Sequence, residues 1–299
     1  MMKSALIVIC AAILTALPVP AAEGAGAIPV FVSIPPQAQF AKKVGGARVS
    51  VSVLVGPGQN PHVFEPKPQQ IAALGKARLY FTVGVPFERT LVERISKSMP
   101  GLKITPTDRG IKKLAMTECD HHEEGSHEEH EADEEGLDPH VWLAPLLIKV
   151  QAKNMADALI ESDPANAAEY RKNLEIFGNE LDELHARIAK TLAPHKGQAF
   201  YVFHPAFGYF ADAYGLRQKA VEAGGRQPTP KQLSALIKQA REDGAKVVFV
   251  QPQFDKRSAE TIAQAIGGAV VPLDSLAEDA TGNLELMADQ IAKTMDKGK

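Results

Sequence analysis

Two α/β lobes, each a mainly parallel sheet flanked by helices, joined by one long bridging helix: this is the fold class the sequence predicts. Three observations carry it. Strand-like and helix-like stretches alternate between Pro29 and Thr105, and the alternation restarts at Ala199 and continues to Met295. Between them, Pro164 to Leu192 has no breaker except Gly178 and places Tyr170, Leu174, Phe177, Leu181, Leu184, Ile188 and Leu192 at near-helical spacing. Strands alternating with helices argue for parallel sheets. A helix of that length spans roughly 40 Å at 1.5 Å per residue, more than one small domain needs, so it is read as a bridge along both.

The elements follow in order. In the first lobe, Pro29–Ile34 and the β-branched run Val49–Val55 read as strands, with a helix over Ala38–Val44 between them that Gly45 and Gly46 close. Gly56 to His62 is a glycine- and proline-rich loop. The chain turns helical from Lys67, with Pro68 in the first turn, where proline is tolerated. Arg78–Val83 is a strand, Phe87–Met99 a helix, and Leu102–Thr105 a short strand. Leu143–Ile160 is helical before the bridge. In the second lobe, Ala199–Phe203, Lys246–Val250 and Ala269–Leu273 read as strands, and Ala206–Tyr214, Lys231–Glu242, Ser258–Ile266 and Leu284–Met295 as helices. The expected division is a signal peptide at 1–22, an N-terminal lobe at 23–163, the bridge at 164–192 and a C-terminal lobe at 193–299.

The first 22 residues read as an export signal. Lys3 supplies a positive start, Ala5–Leu17 is an apolar core too short to span a bilayer, and small residues around Ala21 and Ala22 suit cleavage there. The expected location is therefore periplasmic. After cleavage Cys119 is the only cysteine, which rules out a structural disulfide within one chain. Hydrophobic content of 45% and charged content of 23% are those of a globular protein that is not membrane-embedded. With no basic cluster interleaved with aromatics, nucleic acid is not an expected partner.

Cys119–Glu135 differs from the rest of the chain. It holds His121, His122, His127 and His130, four of the nine histidines, together with nine acidic residues. That stretch carries −9 while the whole chain carries −3, so the remainder is +6. It has no apolar period and is expected to be a loop without a buried face. Acidity alone would make it a solvated insert, but imidazoles, carboxylates and a thiol are the donor set of borderline divalent metals. Its four histidines are read as secondary metal sites.

Four other residues fall just past expected strands or at lobe edges. His62 follows the strand ending at Val55, His140 follows the His-rich loop, His204 follows Phe203 directly and Asp274 follows Leu273 directly. Ligands in open α/β sheets bind outside the carboxyl ends of strands. Two of these groups lie in each lobe, so they can converge between the lobes, and three imidazoles with one carboxylate are a tetrahedral zinc set. Singly, each histidine would be read as an ordinary hydrogen-bonded residue, and Asp274 as a loop-starting aspartate. Pro61, Pro139 and Pro205 each stiffen the backbone beside an imidazole and lower the entropy lost on ordering a ligand. His185, on the polar side of the bridge, is expected to be solvated, and His195 to meet carbonyls at a helix end.

Several motifs together resemble one family, the metal-binding solute receptors of zinc and manganese ABC importers, most of all the zinc receptors. They are Gly56-x-Gly58-x-x-Pro61-His62-x-x-Glu65-Pro66, the His-rich loop, Asp138-Pro139-His140-Val141-Trp142-Leu143, Phe203-His204-Pro205-Ala206-Phe207-x-Tyr209-Phe210, Val250-Gln251-Pro252-Gln253-Phe254 and Pro272-Leu273-Asp274. The resemblance covers essentially the whole mature chain. It implies two lobes on a long helix and His62, His140, His204 and Asp274 as ligands. It also implies a receptor, not an enzyme, that captures Zn²⁺ and hands it as a monomer to the membrane permease of a zinc ABC transporter. Manganese receptors of the family usually carry Glu at the position of His204, and a third imidazole favours zinc. Many relatives have Glu where Gln251 stands, which is expected to change the charge of the cleft. The rival readings are a manganese or iron receptor, a metal buffer or adhesin, and a zinc hydrolase. Against the last, Asp274 can fill the open fourth position, and the sequence has no His-Glu-x-x-His pair, nucleophile elbow or phosphate loop.

Overall fold

A computed structural model describes residues 26–116, 136–222, 227–254 and 256–296. The expected signal peptide and the loop histidines 121, 122, 127 and 130 lie outside the described residues.

The N-terminal lobe has four strands, β1 (Ile28–Val32), β2 (Val49–Val53), β3 (Leu79–Thr82) and β4 (Lys103–Pro106), in the order β2-β1-β3-β4 and parallel throughout. The C-terminal lobe has β5 (Ala199–Val202), β6 (Arg217–Ala220), β7 (Val247–Val250) and β8 (Ala269–Pro272), in the order β6-β5-β7-β8, also parallel. The two sheets therefore share one strand order, although the halves show no repeat in sequence. All four residues of β3 are buried, as befits an inner strand covered on both faces.

Helices α1 (Pro35–Gly45), α2 (Pro68–Leu74), α3 (Pro86–Ser98) and α4 (Pro145–Ser162) belong to the first lobe, and α6 (Gly208–Tyr214), α7 (Pro230–Glu242), α8 (Arg257–Ala265) and α9 (Ala280–Asp296) to the second. Prolines open α1, α2, α3 and α4, where a missing N–H leaves no bond unmade. The bridge is α5 (Ala167–Leu192), entered through a 3₁₀ turn at Pro164–Asn166. Its 26 residues give about 39 Å of helix.

Tyr170, Phe177, Leu181, Leu184, Ile188 and Leu192 form its buried face. That face packs on α1 and α4 of one lobe and on α9 of the other. Full burial of each such side chain contributes about 1.5–3 kcal/mol. One apolar core runs through this helix, holding Val32 and Phe81 from the first sheet together with Phe200 and Leu284 from the second lobe. A second, smaller cluster of Val248, Leu236 and Ile262 lies within the C-terminal lobe.

One strand escapes the sequence reading. β6 is Arg-Gln-Lys-Ala, an edge strand with no apolar run, and only its pairing with β5 makes it a strand. The other elements lie within two or three residues of the expected bounds, except α9, which begins four residues earlier, at Ala280.

Buried amides lock the carboxyl edges of the sheets. In the first lobe Gln37 accepts from the backbone N–H groups of Ser33 and Ile34, at 3.0 and 3.3 Å, and donates to the carbonyl of Thr82 and the hydroxyl of Thr107, both at 3.2 Å. It ties the ends of β1, β3 and β4 together beneath the loops that carry His62 and His140.

Candidate metal centre

His62, His140 and His204 meet between the lobes. Their Nε2 atoms are separated by 3.3 Å (62–140), 3.1 Å (62–204) and 3.3 Å (140–204). His140 is 2% and His204 5% exposed, while His62 closes the outer side and is half-buried. Around them Asn60, Pro61, Trp142, Gln253, Phe254, Ser275 and Leu276 leave a cavity of about 10 Å³, close to the volume of one water-sized sphere.

The tautomers follow from what the other ring nitrogens touch. His140 Nδ1 is 2.6 Å from Asp138 Oδ1, which also accepts from the His140 backbone N–H at 2.9 Å. His204 Nδ1 lies 3.3 Å from both oxygens of Glu222. An ionised carboxylate only accepts, so each Nδ1 carries the proton and each Nε2 presents a lone pair. The 3.3 Å contact between the Nε2 atoms of His140 and His204 is therefore lone pair against lone pair. His62 can donate one hydrogen to one of them at most. A cation at the centre removes the conflict. Two donors bound tetrahedrally at about 2.0–2.1 Å from zinc stand about 3.3–3.4 Å apart, close to the three spacings found here.

Burial, reinforced by the neighbouring His140 and His204, pushes the His62 imidazole down to about 2. Burial also lowers His204, against the pull of Glu222. Both rings are thus kept neutral, the form a metal requires. A base held below its unfolded value contributes stability that is present above that value, near 6.5, and is lost as pH falls, because the unfolded chain takes up protons that the fold refuses. The metal-free protein should lose stability from about pH 6.5 downward, by at most about 1.4 kcal/mol per pH unit for each of the two imidazoles. Denaturant midpoints between pH 7 and 5 check this. A shallower slope for His62→Gln is expected, and an unchanged slope would refute the assignment.

Packing holds the rings in place. Phe254 stacks on His204 at 4.7 Å and 17°, and Trp142 lies 5.1 Å from His140. Trp142 Nε1 donates to the carbonyl of Ser275 at 2.7 Å, joining the two lobes beside the site.

The fourth expected donor is not gathered with the others. Among the described residues, the ligand atoms lying within 4.8 Å of one another are those of His62, His140 and His204 alone. Asp274 Oδ1 is taken by Gln253 Nε2 at 3.1 Å and by the Leu276 N–H at 2.9 Å. Gln251 has a structural part beside His204. It is fully buried and clamps the backbone of His204, its Oε1 accepting from the N–H at 3.3 Å and its Nε2 donating to the carbonyl at 2.8 Å. Because a glutamate could not donate to that carbonyl, Gln251 serves as a brace for His204. His185 is partly buried, its ring stacked on Tyr214 at 5.3 Å, where a solvated side chain was expected. His195 is buried near Asp296.

Asp138 and Glu222, which set the tautomers, were missed by the sequence reading. Asp138 has a readable signal, a carboxylate two residues before a proline-stiffened histidine. Glu222 has none, since it follows the unrecognised strand β6.

The family described as "Zinc-uptake complex component A periplasmic" (ZnuA) matches residues 30–297. The chain belongs to the ZnuA family. The High-affinity zinc uptake system protein ZnuA of Bacillus subtilis (strain 168) is 29% identical over 258 residues, covering 83% of this chain and 78% of its own. The Zinc-binding protein AdcA of Streptococcus pyogenes serotype M6 is 30% identical over 268 residues, 85% of this chain, and this chain spans 52%, about half, of its length. A crystal structure of ZnuA superposes with a TM-score of 0.82 at 39% identity, covering 90% of this chain and 99% of that one. A ZnuA deletion mutant solved with zinc bound matches with a TM-score of 0.81, also at 39% identity.

Proposed function

We propose that this ZnuA-family chain is the extracytoplasmic receptor of a zinc ABC importer, capturing one Zn²⁺ between its lobes and presenting it to the membrane permease. The observation that carries the reading is the meeting of three imidazole lone pairs at tetrahedral zinc spacing in a cavity the size of one ion. His62, His140 and His204 are the proposed ligands. Asp274 is proposed as the fourth, reached when its carboxylate exchanges Gln253 and Leu276 for the metal. Three imidazoles favour zinc over manganese, which prefers oxygen. The sequence has no His-Glu-x-x-His pair, nucleophile elbow or phosphate loop, and the matching family is a zinc-uptake component, so the chain is read as a carrier and not a hydrolase. His121, His122, His127 and His130 are proposed as weaker, secondary metal sites. Export by a peptide cleaved near Ala21 or Ala22 and action as a monomer complete the proposal.

Trp142 provides the test, because it is the only tryptophan and lies against His140. Protein purified without added metal should contain close to one zinc per chain by mass spectrometry. After stripping, zinc should change Trp142 emission with a break at one equivalent, and manganese should require at least a hundredfold higher concentration. In vesicles carrying the permease, the loaded receptor should drive zinc uptake. An absent break, or a preference for manganese, would overturn the proposal.

A further inference from the structure

Tyr209 belongs to the Phe203–Phe210 motif yet touches none of the three proposed ligands. It is the second residue of α6 in the C-terminal lobe and is 4% exposed. Its hydroxyl donates to the backbone carbonyl of Asp138 at 2.8 Å and accepts the backbone N–H of Leu114 at 3.0 Å. Both partners lie in the N-terminal lobe. They are also bonded to each other, the Asp138 N–H donating to the Leu114 carbonyl at 2.8 Å, so the three groups close a ring of hydrogen bonds. Beside the ring, Ala115 and Leu137 form an antiparallel bridge, and the Met116 N–H donates to the Gly136 carbonyl at 2.9 Å.

The residue before Tyr209 meets the same aspartate. A Cβ on Gly208 would stand 2.6 Å from Asp138 Oδ2, so only glycine lets α6 approach this closely. Two successive residues of α6 therefore abut Asp138, one at its carboxylate and one at its carbonyl. The other carboxylate oxygen, Oδ1, holds the ring and backbone of His140.

We propose that Tyr209 is a positioning residue for metal binding. From the opposite lobe it fixes Asp138, and through Asp138 it keeps Nε2 of His140 turned into the cradle. This rests on the zinc-receptor reading for its functional consequence but not for its structural one. Burial pushes the Tyr209 hydroxyl up to about 12, so it keeps its proton, and remains a donor, at every pH the protein meets. The ring exists only while α6 lies against the first lobe, so parting the lobes at this edge takes Tyr209 out of it and loosens the hold on Asp138 behind His140. Tyr209 should accordingly govern release more than capture.

The test compares Tyr209→Phe with Tyr214→Phe. Both remove one buried hydroxyl, but that of Tyr214 has no hydrogen-bond partner among the described residues. Tyr209→Phe should bind zinc about tenfold more weakly in competition with a chelator, at the lower end of the range for groups that orient a ligand. Most of that loss should appear as faster release in stopped flow. Tyr214→Phe should match the parent in both. A metal-free readout separates this proposal from the zinc reading: the low-field Nδ1 proton of His140, assigned by its loss in His140→Gln, should exchange with water several-fold faster in Tyr209→Phe. If the thermal midpoint fell while zinc release and the His140 proton were unchanged, Tyr209 would be structural only and the proposal wrong. If the parent protein bound no zinc but the His140 proton still responded, the receptor reading would fail and the positioning role would stand.

Discussion

Replacing His204 with alanine should lower zinc affinity several hundredfold, and His140→Ala should do the same. Zinc sites with four protein donors bind with roughly 10–16 kcal/mol, so one donor accounts for about 3–4 kcal/mol, or a factor of a few hundred in affinity. The loss should be large because these two imidazoles are fixed before metal arrives: His204 by Glu222, Gln251 and the stacked Phe254, and His140 by Asp138 and Trp142. A prearranged donor loses little entropy on binding, so nearly all of its bond energy appears as affinity. His185→Ala and His195→Ala should leave binding within twofold, since neither ring joins the triad. Competition titration of the four variants decides the matter. Similar losses in all of them would mean that the cradle is not the tight site.

Removing the carboxylate behind His140 should produce the second largest effect. Asp138→Ala deletes the acceptor of both the His140 ring and its backbone N–H, and leaves the imidazole free to rotate and to move its proton to Nε2, which blocks metal. Affinity should fall 10–100-fold. Asp138→Asn keeps an oxygen that can accept from Nδ1 and should lose less. That order, aspartate above asparagine above alanine, separates an orienting role from a purely electrostatic one, in which asparagine and alanine would be equally impaired. The cobalt-substituted protein offers a second view, because its visible bands should shift in the alanine variant as the geometry relaxes.

The three histidines were legible because each stands beside a proline, and His204 directly follows an expected strand; such punctuation survives in a bare sequence. So did the bridge, whose apolar spacing runs from Tyr170 to Leu192. What escaped is what folding alone brings together. Asp138 and Tyr209 are 71 residues apart and share one hydrogen bond. Glu222 reaches His204 from the end of a strand whose own residues carry no strand signal. The same limit explains Asp274. Its position after a strand is plain in the sequence, but its preference for Gln253 and Leu276 depends on a turn geometry that spacing does not encode. Gln251 was legible only as a departure from a pattern, and its role as a brace became visible with the backbone of His204 beside it.

The uninterrupted core along α5 has a thermodynamic consequence for transport. Swinging the lobes apart as rigid bodies would bend a helix of 26 residues, break its main-chain bonds and open apolar packing that belongs to both lobes at once. A receptor with a widely open resting form spends part of its intrinsic affinity on closing, because only the closed fraction binds. Here that deduction is small, and the cradle delivers nearly its full intrinsic affinity to a scarce ion. The corollary is that the loaded protein has no low-energy route to an empty form of different shape. On the receptor reading proposed above, unloading is expected to be driven from outside, by a partner that engages the rim and does local work on the His62 loop and the α6 edge, so that the energy of import would go chiefly into prising the ion out.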